Sequence, residues 1–353
     1  MIGSTRFQQV ATRCWLTRPI ARRKARALFD LVAGFTYSQL LAACVETGLL
    51  ELLAGEPLDA ATIAVRADLP VASAERLLRA AAAIGLVEPL GARWMLSADG
   101  AAFRANRGIA EMVAHHHLLY ADLADPVALL RRGGGGGALS RHWNYAESPG
   151  AGDPDRVAGY SALMAASQPL VADQVLDACS LRGYRRLLDV GGGEGVFLAA
   201  AGDRAPHLDL GLFDLPAVGE RARARLGTAG LASRTHIFAG DFLADPLPSG
   251  YDLVSLVRVL HDHDDAAAMT LLRAVHAALP PGGALLLAEP MAGTRGAQAS
   301  GDAYFGLYLL AMGSGRPRSP REIATMLGAA GFSASRLLRT AIPLTVRAVL
   351  AQR

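Results

Sequence analysis

Apolar and polar positions follow two different rhythms along this chain, and the change falls near residue 185. Upstream, apolar residues recur at helical spacing. Residues 27–53, which begin Ala-Leu-Phe-Asp-Leu-Val-Ala-Gly-Phe, predict a helix that is apolar on most faces. Such a helix needs burial, here against another subunit. Leu58 to Pro70 predicts a short helix stopped by Leu-Pro. Val71 to Gly85 predicts a second helix, opened by Ser73 as its cap and closed by Gly85. Leu86 to Pro89 and Ala92 to Leu96 then predict two short strands joined across a glycine turn. Helix, turn, helix and β-wing together make a winged-helix pattern. Residues 153–180 are again helical by period.

Downstream, short apolar runs alternate with helices. Strands are predicted at Arg186 to Val190, Leu208 to Phe213, Thr235 to Ala239, Tyr251 to Val257 and Gly283 to Glu289. The clearest helix between them, Asp265 to Leu279, stops at Pro280-Pro-Gly-Gly283. This alternation predicts an α/β fold with a parallel, doubly wound, Rossmann-like sheet. Ser335 to Thr340 and Leu344 to Ala351 read as a terminal hairpin. The expected organisation is a basic arm (1–26), a mostly helical winged-helix dimerisation domain (27–150) and a catalytic domain (151–353).

At 353 residues the chain can bury two cores. Its net charge is only +3, yet residues 1–26 carry Arg6, Arg13, Arg18, Arg22, Arg23, Lys24 and Arg26, with no acid before Asp30. Such a start either stays solvated or attracts an anionic membrane surface or a partner. A winged helix alone would suggest DNA binding. The second helix, however, offers only Arg76 and Arg79, so a homodimer is expected and nucleic acid is not. Three scattered cysteines, Cys14, Cys44 and Cys179, form neither a disulfide framework nor metal spacing, which fits a reducing cytoplasm. No apolar run approaches the ~20 residues of a membrane span, so any membrane contact, such as with an inner photosynthetic membrane, would be peripheral. His115–His117 follow Glu111 by one turn, but adjacent histidines on a helix diverge, and no metal site is expected.

Two strand ends carry the chemistry. Gly191, Gly193 and Gly195 follow an apolar strand and open a helix, where glycines let the backbone approach a ligand at a helix N-terminus. Asp214 lies 21 positions after Gly193, at the next strand end, where an acid accepts hydrogen bonds from ribose hydroxyls. The third glycine comes one position too early for a dinucleotide fingerprint. His261 follows the strand at Tyr251 to Val257, at the ligand-binding edge of an open sheet. A neutral imidazole there can take a proton from a hydroxyl as it becomes a nucleophile. The carboxylates of Asp262 and Glu289 are near, and Glu289 is expected to hold the tautomer or stabilise the imidazolium.

The text Asp189-Val-Gly-Gly-Gly-Glu-Gly195 resembles class I S-adenosylmethionine (SAM)-dependent methyltransferases. Phe213-Asp-Leu-Pro216, Gly240-Asp-Phe242, Leu260-His-Asp-His-Asp-Asp265 and Gly315-Arg-Pro-Arg-Ser319 resemble, in order, the plant-type O-methyltransferases of the caffeate and acetylserotonin group. The resemblance implies SAM as cofactor, held by Gly191, Gly193, Asp214, Leu215, Asp241, Phe242 and Arg258, with His261 as catalytic base beside Asp262 and Glu289. It places Tyr160, Met164, Tyr308 and Met312 at the acceptor pocket, although Met and Tyr at helical spacing equally read as core. Three stretches, including His115-His-His-Leu-Leu-Tyr-Ala-Asp-Leu-Ala-Asp-Pro126, are similar to bacterial carotenoid O-methyltransferases and imply an apolar hydroxylated acceptor, a 1-hydroxyl of an acyclic carotenoid. A phenolic polyketide or a bacteriochlorophyll precursor remains the alternative acceptor, and a winged-helix regulator that senses SAM or a pigment the alternative from another class. Two positions depart from the plant pattern. His263 replaces an aromatic residue, and Pro317 replaces a second acid beside the base.

Overall fold

The computed structural model describes residues 4–143 and 154–353 and divides into two compact units, Met1–Ala114 and His115–Arg353. In the first unit, helices Arg18–Glu46, Ala60–Arg66, Val71–Ala83 and Ala98–Ala105 surround a small sheet of β1 (Leu58–Asp59), β2 (Val87–Leu90) and β3 (Arg93–Leu96), in the order β1-β3-β2. Asp59 caps its helix by accepting from the Thr62 N–H at 2.8 Å. Ser73 is not the expected cap. The next helix already starts at Val71, and the Ser73 N–H donates to the Pro70 carbonyl at 2.9 Å. Cys44, Leu49, Ile63 and Leu78 are fully buried and form the core of this unit.

Helix Arg18–Glu46 starts earlier than its apolar pattern suggests, with a proline in its first turn, where the missing N–H costs nothing. Contrary to the sequence expectation, it is long and apolar enough, by length and composition alone, to cross a membrane. Its last turns are tied into the core through Ala42 and Cys44, whereas Leu28, Phe29, Leu31, Val32 and Phe35 are exposed.

The second unit holds a seven-stranded sheet: β4 (Arg186–Val190), β5 (Asp209–Asp214), β6 (Thr235–Ala239), β7 (Leu253–Val257), β8 (Ala284–Glu289), β9 (Ala334–Leu338) and β10 (Arg347–Gln352), in the order β6-β5-β4-β7-β8-β10-β9. The first five strands in that order are parallel. The predicted terminal hairpin forms, and β10 inserts antiparallel between β8 and β9, so the sheet is mixed. Side chains alternate between two cores, as a pleated strand requires. Ala284, Leu286 and Ala288 enter one, and Leu285 and Leu287 the other.

This unit begins at residue 115 and not at 151. Leu119, Leu129 and Leu139 pack against Tyr308, Leu309 and Met312, a partnership across nearly two hundred residues that local periodicity does not encode. From β4 the chain proceeds outward through β5 and β6, then returns to the other side of β4 as β7 and β8. The carboxyl ends of β4 and β7 therefore flank the switch point, where open α/β sheets bind ligands.

Candidate active site

Beyond β4, Gly191 and Gly193 adopt φ of +66° and +58°. That conformation turns the chain sharply and is strained for residues with a Cβ. A Cβ on Gly193 would meet no atom within 4 Å, so the space over the loop is open to a ligand. Asp214, the last residue of β5, accepts the Gly193 N–H at 2.7 Å through Oδ2 and the Leu215 N–H at 2.7 Å through Oδ1. Its carboxylate is thereby aimed while lone pairs remain for two hydroxyls. Burial raises the Asp214 pKa to about 6, against the pull of those N–H groups and Arg221. After β6, Asp241 accepts the Leu243 N–H at 2.9 Å, and Phe242 is half-buried beside it. The turn, the carboxylate at the adjacent strand end and the aromatic one strand further fit a nucleoside cofactor.

Arg258 follows β7, three positions before His261. It holds an uncommon φ of +59°, with its N–H donating to the Ala288 carbonyl at 2.7 Å. Its guanidinium donates to Ser167 Oγ at 2.8 Å and Gln168 Oε1 at 3.4 Å.

His261 follows in a short turn, Leu260–Asp262, and is buried. Its Nε2 lies 3.2 Å from Asp262 Oδ1, while Nδ1 has no hydrogen-bond partner among the described residues. Burial, with nearby Arg258, lowers the imidazole pKa to about 3, so the ring is neutral at ordinary pH. Burial also raises Asp262 to about 7 and Glu289 to about 8.

Glu289 does not meet the imidazole as expected. Its Oε2 accepts the backbone N–H of His261 at 3.0 Å. The physical reason lies in the backbone: β8 ends beside the turn, and the peptide N–H that opens the turn faces the carboxylate first. Glu289 thus anchors the turn, and Asp262 holds the ring.

The turn is also held from residues 314–318. Arg316 N–H donates to the His261 carbonyl at 2.9 Å, and Ser314 Oγ to the Asp262 carbonyl at 2.9 Å. Arg318, fully buried, donates to the carbonyls of Leu260 at 2.9 Å and His263 at 2.7 Å and to Asp265 at 2.8 Å. Gly315 has φ +76°, and a Cβ there would run into the His261 carbonyl oxygen. Pro317, at the place of the second acid, lies between these two anchoring arginines. His263, at the place of the missing aromatic residue, packs edge-on against Phe242, with ring centroids 5.3 Å apart.

The Phe305 ring lies 5.7 Å from that of His261 and 6.4 Å from Tyr308. Tyr308 and Met312 are buried within the cluster around Leu309. Tyr308 OH pairs with His115 Nε2 at 2.9 Å, and Tyr304 OH with His116 Nε2 at 2.7 Å, which gives two members of the histidine triplet structural partners. The side chains of Tyr160 and Met164 lie outside the described residues.

Two contributors escaped the sequence reading. Asp189, buried in β4, accepts Ser255 Oγ at 2.6 Å beneath the glycine loop, and its signal was a carboxylate within an apolar strand. Arg318 lies in the stretch Gly315-Arg-Pro-Arg-Ser319, but nothing local marks it as buried.

The family model for the O-methyltransferase domain matches residues 120–333, and that for the O-methyltransferase dimerisation domain matches residues 29–103. The chain is 45% identical to demethylspheroidene O-methyltransferase of Cereibacter sphaeroides, over all of this chain and 93% of that one. It is 43% identical to the enzyme of the same name from Rhodobacter capsulatus, over 99% of this chain and 88% of that one. Among solved structures, the mitomycin 7-O-methyltransferase MmcR superposes with a TM-score of 0.79 at 27% identity, over 95% of this chain and 99% of that one. With these likenesses joined to the glycine loop, Asp214 and the buried His261, the chain belongs to the O-methyltransferase family and is a SAM-dependent enzyme of it.

Proposed function

We propose that this enzyme, as a homodimer, methylates the 1-hydroxyl of an acyclic carotenoid of the demethylspheroidene type. The observation that carries the acceptor class is the 45% identity, along the full chain, to an enzyme named for that reaction. The buried cluster of Tyr308, Leu309 and Met312, with the Phe305 ring between Tyr308 and His261, puts apolar side chains rather than charges on that side of the histidine, in keeping with an acceptor lacking charge.

When bound, SAM supplies a methyl group activated on a sulfonium. The chain then has two tasks. Gly193, Asp214, Asp241 and Phe242 would fix the cofactor, and alignment with the acceptor oxygen can contribute ~7–11 kcal/mol. His261 takes the proton. With Asp262 ionised, Nε2–H donates to it, and Nδ1 keeps its lone pair for the acceptor. An aliphatic alcohol does not ionise near neutral pH, so its proton leaves as the new C–O bond forms or just after. The oxygen is by then strongly acidic, and a base as weak as this buried imidazole suffices.

The test is transfer of labelled methyl from SAM to a panel of acyclic hydroxycarotenoids, phenols and chlorophyllides. Product on the 1-hydroxycarotenoid is expected. Product confined to a phenol or a chlorophyllide would replace the acceptor and leave the methyltransferase assignment standing.

A further inference from the structure

The first helix, Thr5–Arg13, and the start of the second lie upstream of the matched dimerisation domain, and the catalytic reading uses neither. Four large apolar side chains in this arm face solvent: Val10 is 64% exposed, Trp15 75%, Leu16 64% and Ile20 57%. They are interleaved with Arg6, Arg13, Arg18, Arg22, Arg23, Lys24 and Arg26, all exposed. Among the described residues, the first carboxylate that reaches these cations is Asp30, 3.9 Å from Arg26.

A second copy is a poor cover for this surface. If the arm met its own copy across a two-fold axis, seven cations would face the same seven, and like charges across an interface repel. Duplex DNA would neutralise the arginines but leave the Trp15-Leu16 pair in water. The surface of an anionic bilayer satisfies both sets. Basic side chains reach the headgroups while apolar ones enter the acyl boundary, and tryptophan favours that depth. We propose that residues 5–26 form a peripheral docking surface for anionic lipid. This inference is independent of which acceptor the active site takes.

The experiment is co-sedimentation of the full chain with vesicles of phosphatidylcholine alone or of an equal mixture of phosphatidylcholine and phosphatidylglycerol. Binding to the mixed vesicles is expected, with a blue shift of tryptophan emission and release at about 0.5 M salt. Replacing Arg22, Arg23 and Lys24 together by Gln is expected to lower partition roughly a hundredfold. Trp15→Ser with Leu16→Ser is expected to abolish the blue shift. SAM affinity by calorimetry should be unchanged in both variants, which shows that they fold. Equal binding to both vesicle types, or binding to duplex DNA without binding to vesicles, would overturn the proposal. So would retention through high salt and alkaline carbonate, which would mean a spanning helix. Conversion of the charge variant from dimer to monomer with undiminished vesicle binding would assign the arm to the subunit interface and equally overturn it.

Discussion

The turns after β4 and β7 sit side by side at the switch point, yet they are built in opposite ways. The cofactor loop after β4 is nearly self-contained. Its glycines supply the conformation, and its principal side-chain support, Asp214, ends the neighbouring strand. The turn after β7 that carries His261, the proposed base, is shaped from far along the chain. Its carbonyls at Leu260, His261, Asp262 and His263 are all taken by donors from residues 314–318, more than fifty positions later. A site whose position depends on remote donors can be disturbed by substitutions that never approach the reacting atoms. A nearly self-contained loop is less open to such effects.

The largest break is at the base itself. His261→Ala is expected to lower kcat by ~10²–10⁴-fold with SAM affinity unchanged by calorimetry. Near-normal turnover in that variant would remove the base assignment.

Arg318→Met separates the two turns more sharply. It strips donors from the Leu260 and His263 carbonyls, at ~1–3 kcal/mol for each buried acceptor left unmet. A lower melting temperature and a kcat reduced about tenfold or more are expected, with SAM affinity retained and partial rescue of kcat by Arg318→Lys. Loss of SAM binding in step with kcat would show that the turns are not independent.

Asp214→Ala is the reciprocal change. Losing hydrogen bonds to a charged acceptor, worth ~1.5–3 kcal/mol, should weaken SAM by roughly ten- to a hundredfold. An unaltered dissociation constant would end the ribose role.

The smallest expected effect distinguishes the two carboxylates around His261. Glu289, raised to about 8, is largely protonated near neutral pH, and Gln can still accept the His261 N–H. Glu289→Gln should change kcat less than about threefold at pH 7. Asp262 is different. Its pKa is raised to about 7, and once protonated it accepts from Nε2 more weakly and can donate its own proton there, which removes the bias that leaves Nδ1 unprotonated. Activity should therefore rise as pH increases through this range and fall on the acid side, with the midpoint moved lower when a sulfonium cation is bound. Asp262→Asn should flatten that limb. A pH profile abolished by Glu289→Gln and kept by Asp262→Asn would reverse the assignments.

Much of the second unit was legible from pattern. All seven predicted strands form, with ends shifted by no more than a few residues, because alternation with helices and bounding glycines or prolines are local signals. The meeting of the glycine loop with Asp214 was legible for the same reason: glycine spacing and an acid at the next strand end depend on neighbouring residues. The support of His261 was not. Sequence proximity offers both Asp262 and Glu289, and only the meeting of β8 with the turn shows which reaches the ring and which the backbone. Residues 115–143 cluster with the second unit, which the sequence pattern does not show because helical periodicity carries no preference between cores.

From its residues alone, then, the chain specifies two domains, a parallel α/β core, a glycine loop with its aspartate, and a histidine at a strand end. Each follows from backbone conformation and spacing over a few turns of chain. The folded molecule decides what long-range packing decides: β10 enters the sheet antiparallel, Arg318 is buried under the base turn, and Asp262 takes the imidazole while Glu289 takes the peptide N–H. Apart from the neighbouring Asp262, these outcomes join residues tens of positions apart, whose proximity arises only when the sheet closes.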